Sequence, residues 1–239
     1  MESPDDYILR VSNLRVEIQN QTILDDVNFK LRRGTTLAVV GPNGAGKTML
    51  FRALLNLIPY RGRIEWSERV KLGYVPQILS VSDVPISVKE FLSFKDGLDM
   101  NSALNSVGLD SKGVLNKRLS VLSGGQLRRV LIAWAIIDRP DVLLFDEPTT
   151  GVDLDSEEAI YKMLDDLAKK NKITTLLISH DIHIITEYSD YVLALNKCMS
   201  FFGESKEIVR PSLQTVIYGE PICARIKDNG RSNDRSASL

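Results

Sequence analysis

The chain has 239 residues, long enough for one large α/β domain with a buried core and short for two independent ones. Lys and Arg number 30 against 31 Asp and Glu, a formal charge of -1, so no electrostatic surplus argues for nucleic acid as a partner. Cys198 and Cys223 stand alone without CxxC spacing, which suits a reducing compartment and suggests neither a disulfide framework nor a cysteine metal site.

The opening MESPDDY is acidic and polar, where an export signal is basic and then apolar. Tyr7 to Ile18 alternates apolar and polar residues in places, and Val27 to Leu31 does so again, which predicts an antiparallel entry sheet joined by a polar turn around Gln19 to Gln21. Leu37 to Val40 is a short apolar run closed by Gly41, and Met49 to Ile58 reads as a helix stopped by Pro59. From about Asp83 to Arg118 the pattern is helical and irregular, with Val88 to Phe94 and Ala103 to Val107 as segments; together with the next helix it suggests an inserted helical lobe over about 83–138.

Ser123 can cap a helix from Gly124 to Asp138, with Leu127, Val130, Leu131, Trp134 and Ile137 as its core stripe and Pro140 as its stop. The best apolar run, Val130 to Ile137, is far below the roughly 20 residues that cross a bilayer, so a membrane link is expected through another protein. Val142 to Phe145 and Thr175 to Ile178 read as buried strands around a helix from Ser156 to Lys170, the β-α-β spacing of a parallel sheet. A strand at Tyr191 to Leu195 follows. Residues 219–239 are polar and irregular and read as a mobile tail.

Gly41, Pro42, Asn43, Gly44, Ala45, Gly46, Lys47 and Thr48 read GPNGAGKT, a phosphate loop GxxxxGK[ST] between a predicted strand and helix. The glycines let successive backbone N–H groups face phosphate oxygens, the helix adds its positive end, Lys47 adds a cation, and Thr48 offers a hydroxyl to Mg²⁺. The bland alternative is a glycine-rich turn that binds nothing.

Residues 142–148 read VLLFDEP, an apolar strand ending in paired carboxylates, at the end of a parallel strand where such folds meet ligands. Asp146 suits Mg²⁺, directly or through water, and Glu147 suits a general base toward the water that attacks the γ-phosphorus. A solvated acidic loop is the competing reading.

Leu122 to Gln126 reads LSGGQ and opens a helix; a serine cap and two glycines there make a second anion-binding surface. That segment, with GPNGAGKT, the VPQ of residues 75–77, VLLFDEP and Ser179-His180-Asp181, resembles the ATP-binding cassette family over about Tyr7 to Tyr218. The resemblance implies a P-loop NTPase fold of ABC type, with a mostly parallel core sheet, an antiparallel β entry subdomain and the inserted helical subdomain.

It also implies a head-to-tail dimer in which Ser123, Gly124, Gly125 and Gln126 of one copy cover the ATP of the other. Gln77 matches the glutamine loop, which ligates Mg²⁺ or the attacking water and responds to the permease. His180 matches the switch histidine at the γ-phosphate. Asp153, in TTGVD, matches the aspartate loop at the dimer interface. By themselves, Gln77 could be a turn residue, His180 a structural histidine and Asp153 a helix cap. His180, Asp181 and His183 lack a nearby fourth ligand, so His183 is placed on a helix surface rather than at a metal.

One position departs from the family, which has an aromatic residue near Ile18 or Gln19 to stack on adenine; here Ile18 would be an aliphatic platform. Together with GYVPQ, SHDIH and YGEP, the motifs look like the ATPases of bacterial zinc, manganese and iron importers. This implies a cytoplasmic subunit on the inner face of the membrane, docked on permease subunits through the segment from Ile78 to Phe94, with a solute-binding protein outside. A cassette ATPase acting as an assembly or interaction factor is the alternative; a phosphotransferase would leave the LSGGQ turn without a purpose.

Overall fold

A computed structural model describes residues 6–77, 85–95, 99–148 and 154–218. In chain order they form β1 (Tyr7–Ile18), β2 (Gln21–Arg32), β3 (Thr36–Val40), α1 (Lys47–Leu54), β4 (Arg61–Trp66), β5 (Leu72–Val75), α2 (Val88–Leu92), α3 (Met100–Ser106), α4 (Ser111–Val114), α5 (Gly124–Ile136), β6 (Val142–Asp146), α6 (Leu154–Asn171), β7 (Thr174–Ile178), α7 (Ile182–Tyr188), β8 (Tyr191–Asn196), β9 (Cys198–Glu204) and α8 (Pro211–Tyr218). The chain divides into two compact units. One runs mainly from Ser67 to Ile178, and the other comprises Leu9–Leu31, Leu37–Trp66 and the chain from Ser179 onward.

In the second unit, β1 and β2 meet through Gln19 and Asn20, with φ of 48° and 61°, the two-residue left-handed turn whose twist matches that of a hairpin. Both strands change the parity of their buried residues partway along. In β1, Val11 is buried and then Leu14 and Val16; in β2, Leu24 and then Val27, Phe29 and Leu31. The extra residues are Asn13 and Asp26, with φ of 50° and 53°, and they behave as paired bulges.

A polar knot ties the bulges together. The Asn13 and Asn28 amides donate to Asp26 Oδ1 at 3.0 and 2.8 Å, and Asn13 N–H donates to Asn28 Oδ1 at 2.7 Å. These bonds hold the Asp26 carboxyl below its ordinary pKa, Asn28 most and Asn13 next. β4 pairs antiparallel with β1, and its register shifts where Asn13 interrupts the ladder. Gly62 of β4 sits there with φ of 94°, and a Cβ on it would stand 2.2 Å from the Asn13 carbonyl oxygen. Farther on, β3 pairs parallel with β8, which pairs antiparallel with β9.

In the first unit, β5, β6 and β7 form a parallel ladder, Val142 facing both Leu72 and Thr174. All five residues of β6 and of β7 are buried, as a strand covered on both faces requires. Each helix from α2 to α5 begins on a side-chain cap: Ser87, Asp99, Asp110 and Ser123. Ser87 and Ser123 also form reciprocal capping boxes with Glu90 and Gln126.

The elements expected from the sequence are present, several of them trimmed. The first helix begins at Lys47, because left-handed Gly46 is its N-cap, and ends at Leu54, well short of Pro59. β4, β5 and β9 are short and were not anticipated. Cys198 is disulfide-bonded, which corrects the expectation of cysteines standing alone; spacing along the chain says little about which residues the fold brings within bonding reach. The tail expected over 219–239 lies outside the described residues.

The bulge makes a direct claim on Gly62. Gly62→Ala is expected to destabilise the protein by at least about 1–3 kcal/mol, because it combines a left-handed non-glycine residue with a backbone clash. Thermal unfolding should show a melting point lower by roughly 2–4 °C per kcal/mol for a chain of this size; an unchanged melting point would remove the bulge from the account.

Candidate nucleotide site

The loop between β3 and α1 belongs to the second unit. Gly41, Gly44 and Gly46 have φ of 144°, 79° and 97°. Gly41 is also required by proximity, since a Cβ on it would lie 2.0 Å from the Leu195 carbonyl oxygen of β8. The curl is fastened from behind: Ala45 N–H donates to the Pro42 carbonyl at 3.1 Å, Lys197 N–H to the Ala45 carbonyl at 3.2 Å, and Asp25 N–H to the Lys197 carbonyl at 2.8 Å. Asn43 and Gly44 are the exposed tip, and a Cβ on Gly44 would meet no atom within 4 Å.

Lys47 is only 9% exposed, and its Nζ donates to the carbonyls of Gly41 at 2.8 Å and Pro42 at 3.1 Å. An ammonium so placed lies across its own loop, at the start of a helix whose first N–H groups have no intrahelical acceptor. The arrangement suits a polyanion, with backbone donors, a helix N-terminus and a fixed cation in one short stretch. Thr48 follows in the first turn of α1, half-buried.

The same unit carries Ile18, 38% exposed at the end of β1, and His180, exposed after the buried Ser179. Ser179 Oγ accepts from Asp181 N–H at 3.2 Å, and Asp181 caps α7 by accepting from His183 and Ile184 N–H at 2.8 and 3.2 Å. The SHD run therefore ends a strand and starts a helix, leaving His180 at the joint. His183 lies on the surface of α7, 3.2 Å from Glu187.

The paired carboxylates belong to the first unit. Asp146 closes β6 at 2% exposure and accepts from the Tyr74 hydroxyl at 3.4 Å. Glu147 has φ of 47° and stands before Pro148, so its backbone leaves the strand in the left-handed region, uncommon for a glutamate. Its carboxylate accepts from the Gln77 side-chain amide at 2.5 Å. Strained non-glycine backbone at the end of a buried strand, with a carboxylate met by a positioned amide, is a pattern found where chemistry is done.

At the LSGGQ turn, Ser123 Oγ accepts from Gln126 N–H at 3.2 Å, and Gln126 Oε1 accepts from Ser123 N–H at 3.2 Å. Ser123 and Gly124 are exposed, and a Cβ on Gly125 would meet nothing within 4 Å. The turn is thus an ordered helix start with an uncovered N-terminal surface. Of the expected stripe on α5, Val130, Leu131 and Ile137 are buried while Leu127 and Trp134 are half-buried.

Within the first unit the structure brings together Gln77, Asp146 and Glu147; within the second it assembles Gly41 to Thr48 on a fixed loop. Asp153 lies outside the described residues. Sequence reasoning missed two residues beside the carboxylates, Tyr74 and Arg128. Arg128 could have been found, because it is a charge sharing a helical face with Ile132 and Ala135, both wholly buried.

Among the described residues no helix is long and apolar enough to cross a membrane, and no group of three or more His, Cys, Asp or Glu could hold a metal ion. The ABC transporter family profile matches residues 24–150. The zinc import ATP-binding protein ZnuC of Pseudomonas syringae pv. syringae is 32% identical over 220 residues, 90% of this chain and 83% of that protein. ZnuC of Haemophilus influenzae is 34% identical over 224 residues, 92% and 83%.

Among solved structures, a metal-chelate type ABC transporter in an inward-facing conformation superposes with a TM-score of 0.78 at 28% identity, covering 88% of each chain. CbiO1 of Clostridium perfringens, part of the ABC transporter complex cbiONQ, superposes at 0.76 with 27% identity, covering 93% of this chain and 99% of that one. A phosphate loop with its lysine, a carboxylate pair closing a buried strand and an LSGGQ helix start thus occur in one chain that the family profile matches over more than half its length, and the chain belongs to the ABC transporter family as one of its ATP-binding, ATP-hydrolysing subunits.

Proposed function

We propose that this subunit drives import of a divalent metal ion, of the zinc, manganese or iron class, through a separate membrane permease. The likeness to zinc import ATP-binding proteins over nine-tenths of the chain supports the cargo. The observation that carries the hydrolytic reading is Glu147, held in left-handed backbone beside buried Asp146 with its carboxylate against the Gln77 amide.

Gly41 to Thr48 bind the phosphates, with backbone N–H groups and Lys47 on the β and γ oxygens. Thr48, Asp146 and Gln77 would hold Mg²⁺, whose usual set is one or two oxygen side chains plus the phosphates, and so needs no all-protein cluster. When bound, MgATP supplies the γ-phosphoryl group and a cation that draws charge from it. Glu147 accepts a proton from the attacking water, Gln77 orients that water or the carboxylate, and His180 donates to the γ-phosphate. Ile18 offers an apolar surface to adenine.

The uncovered N-terminus of α5 gives the second half of the reading. Ser123, Gly124, Gly125 and Gln126 of one copy cover the γ-phosphate of another, and Asp153 lies at that interface, so the working unit is a head-to-tail dimer closed over two nucleotides. The subunit sits on the cytoplasmic face of the membrane, docked on the permease through the segment from Ile78 to Phe94, of which residues 78–84 lie outside the described residues, with a solute-binding protein delivering metal on the far side. Membrane vesicles containing the subunit and the permease should take up zinc, manganese or iron only with MgATP and an intact Glu147. Uptake of none of the three would overturn the cargo.

Glu147→Gln should reduce hydrolysis by about 10²–10⁴-fold, the range for a lost general base, while ATP binding stays. Size-exclusion chromatography should then show this variant as a dimer with MgATP, and a monomer would count against the sandwich. Lys47→Ala should weaken nucleotide binding by about 1.5–3 kcal/mol, since it removes a charge-assisted contact; calorimetry giving an unaltered Kd contradicts the cradle. Ile18→Tyr should tighten ATP binding by about 1–3 kcal/mol through stacking, and equal or weaker affinity would refute adenine at that position.

A further inference from the structure

One turn beyond the Ser123 cap, α5 carries a buried guanidinium. Arg128 is 6% exposed, and its Nη1 and Nη2 donate to the carbonyls of Pro76 and Gln77, each at 2.8 Å. Burial pushes its pKa below the ordinary arginine value, while Tyr161 and Asp146 oppose that shift. The planar fork gives each of the two successive carbonyls its own nitrogen and so fixes them in one orientation, where the single ammonium of a lysine reaches both from one rotatable point.

The backbone gripped in this way belongs to the residue whose side chain reaches Glu147. Contacts therefore run unbroken from the Ser123 cap, along one turn of α5, through Arg128 to the main chain of Gln77, and through the Gln77 amide to the carboxylate. We propose that Arg128 is a positioning residue for ATP hydrolysis: by holding the Pro76 and Gln77 carbonyls it fixes the Gln77 amide against Glu147, so that the signature helix sets the geometry of the base. The inference rests on the reading of Glu147 as that base.

An arginine that served only folding would lower stability when replaced and leave the turnover of folded molecules alone. A positioning arginine changes kcat and acts through Gln77. The test is steady-state ATP hydrolysis by the full chain for Arg128→Gln, Arg128→Lys, Gln77→Ala, the double variant Arg128→Gln/Gln77→Ala, and Glu147→Gln as reference.

Arg128→Gln should lower kcat about 10- to 100-fold, the scale of a misplaced catalytic group, with KM for ATP changed less than about twofold. Arg128→Lys should recover part of the loss, because it keeps the charge and not the fork. The double variant should be no slower than Gln77→Ala alone, because both changes remove one support.

A kcat for Arg128→Gln within about twofold of the unmodified chain, or losses that multiply in the double variant, would overturn the proposal. If Arg128→Gln does not fold, Arg128→Lys takes its place, alone and with Gln77→Ala, under the same criteria. Full activity in Glu147→Gln would defeat the underlying reading whatever Arg128 does. Loss of activity in Glu147→Gln alongside normal turnover in both Arg128 variants would defeat this inference alone.

Discussion

Ionised groups held out of water constrain this molecule more than any other feature. Lys47, Arg128 and Asp146 are 9%, 6% and 2% exposed, and each would cost several kcal/mol to bury without partners. The two cations are met by backbone carbonyls, Gly41 and Pro42 for Lys47, Pro76 and Gln77 for Arg128, and the Tyr74 hydroxyl reaches Asp146. A carbonyl solvates a cation without neutralising it.

Backbone conformations that side chains resist surround these charges. Gly41 lies so close to β8 that any Cβ would strike Leu195, and Glu147 takes a left-handed φ with a full side chain. Strain of this kind persists only where neighbours over-determine it. For Gly41 the neighbours are the hydrogen bonds linking Ala45, Lys197 and Asp25; for Glu147 they are the buried strand before it, Pro148 after it and the Gln77 amide. Loop and carboxylate are thus set before any nucleotide arrives, and little ordering is left for binding to supply.

Residue types with a fixed local consequence were the legible part of the fold. Ser123 before Gly124 announces a helix cap, and its hydroxyl does accept from the Gln126 N–H. VLLF before a carboxylate announces a strand buried on both faces, and β6 is one. Non-local features were hidden. The alternation of β1 and β2 breaks at Asn13 and Asp26 because of bonds between residues on different strands, and a single-strand pattern cannot register them. β4, in sequence RGRIEW, sets only Ile64 and Trp66 on its apolar face, both half-buried, too few to declare a strand without the partner that β1 offers. Arg128 was passed over for a related reason, since a charge on a helix is assumed to face water until the carbonyls that accept it are known.

One helix serves two ends of the proposed chemistry. α5 presents the Ser123 turn at its N-terminus and, a turn later, grips the main chain of Gln77. A helix is stiff over so short a distance, because its residues share one hydrogen-bond ladder. Any displacement that carries the turn toward or away from a neighbouring copy's phosphate must carry Arg128 with it, and must pull on the carbonyls that aim the Gln77 amide. On the proposed reading, closing the site over nucleotide and aiming the base would be a single motion rather than two coordinated ones. Hydrolysis by a lone copy would be slow for two reasons at once, the missing cover on the γ-phosphate and a base left out of line.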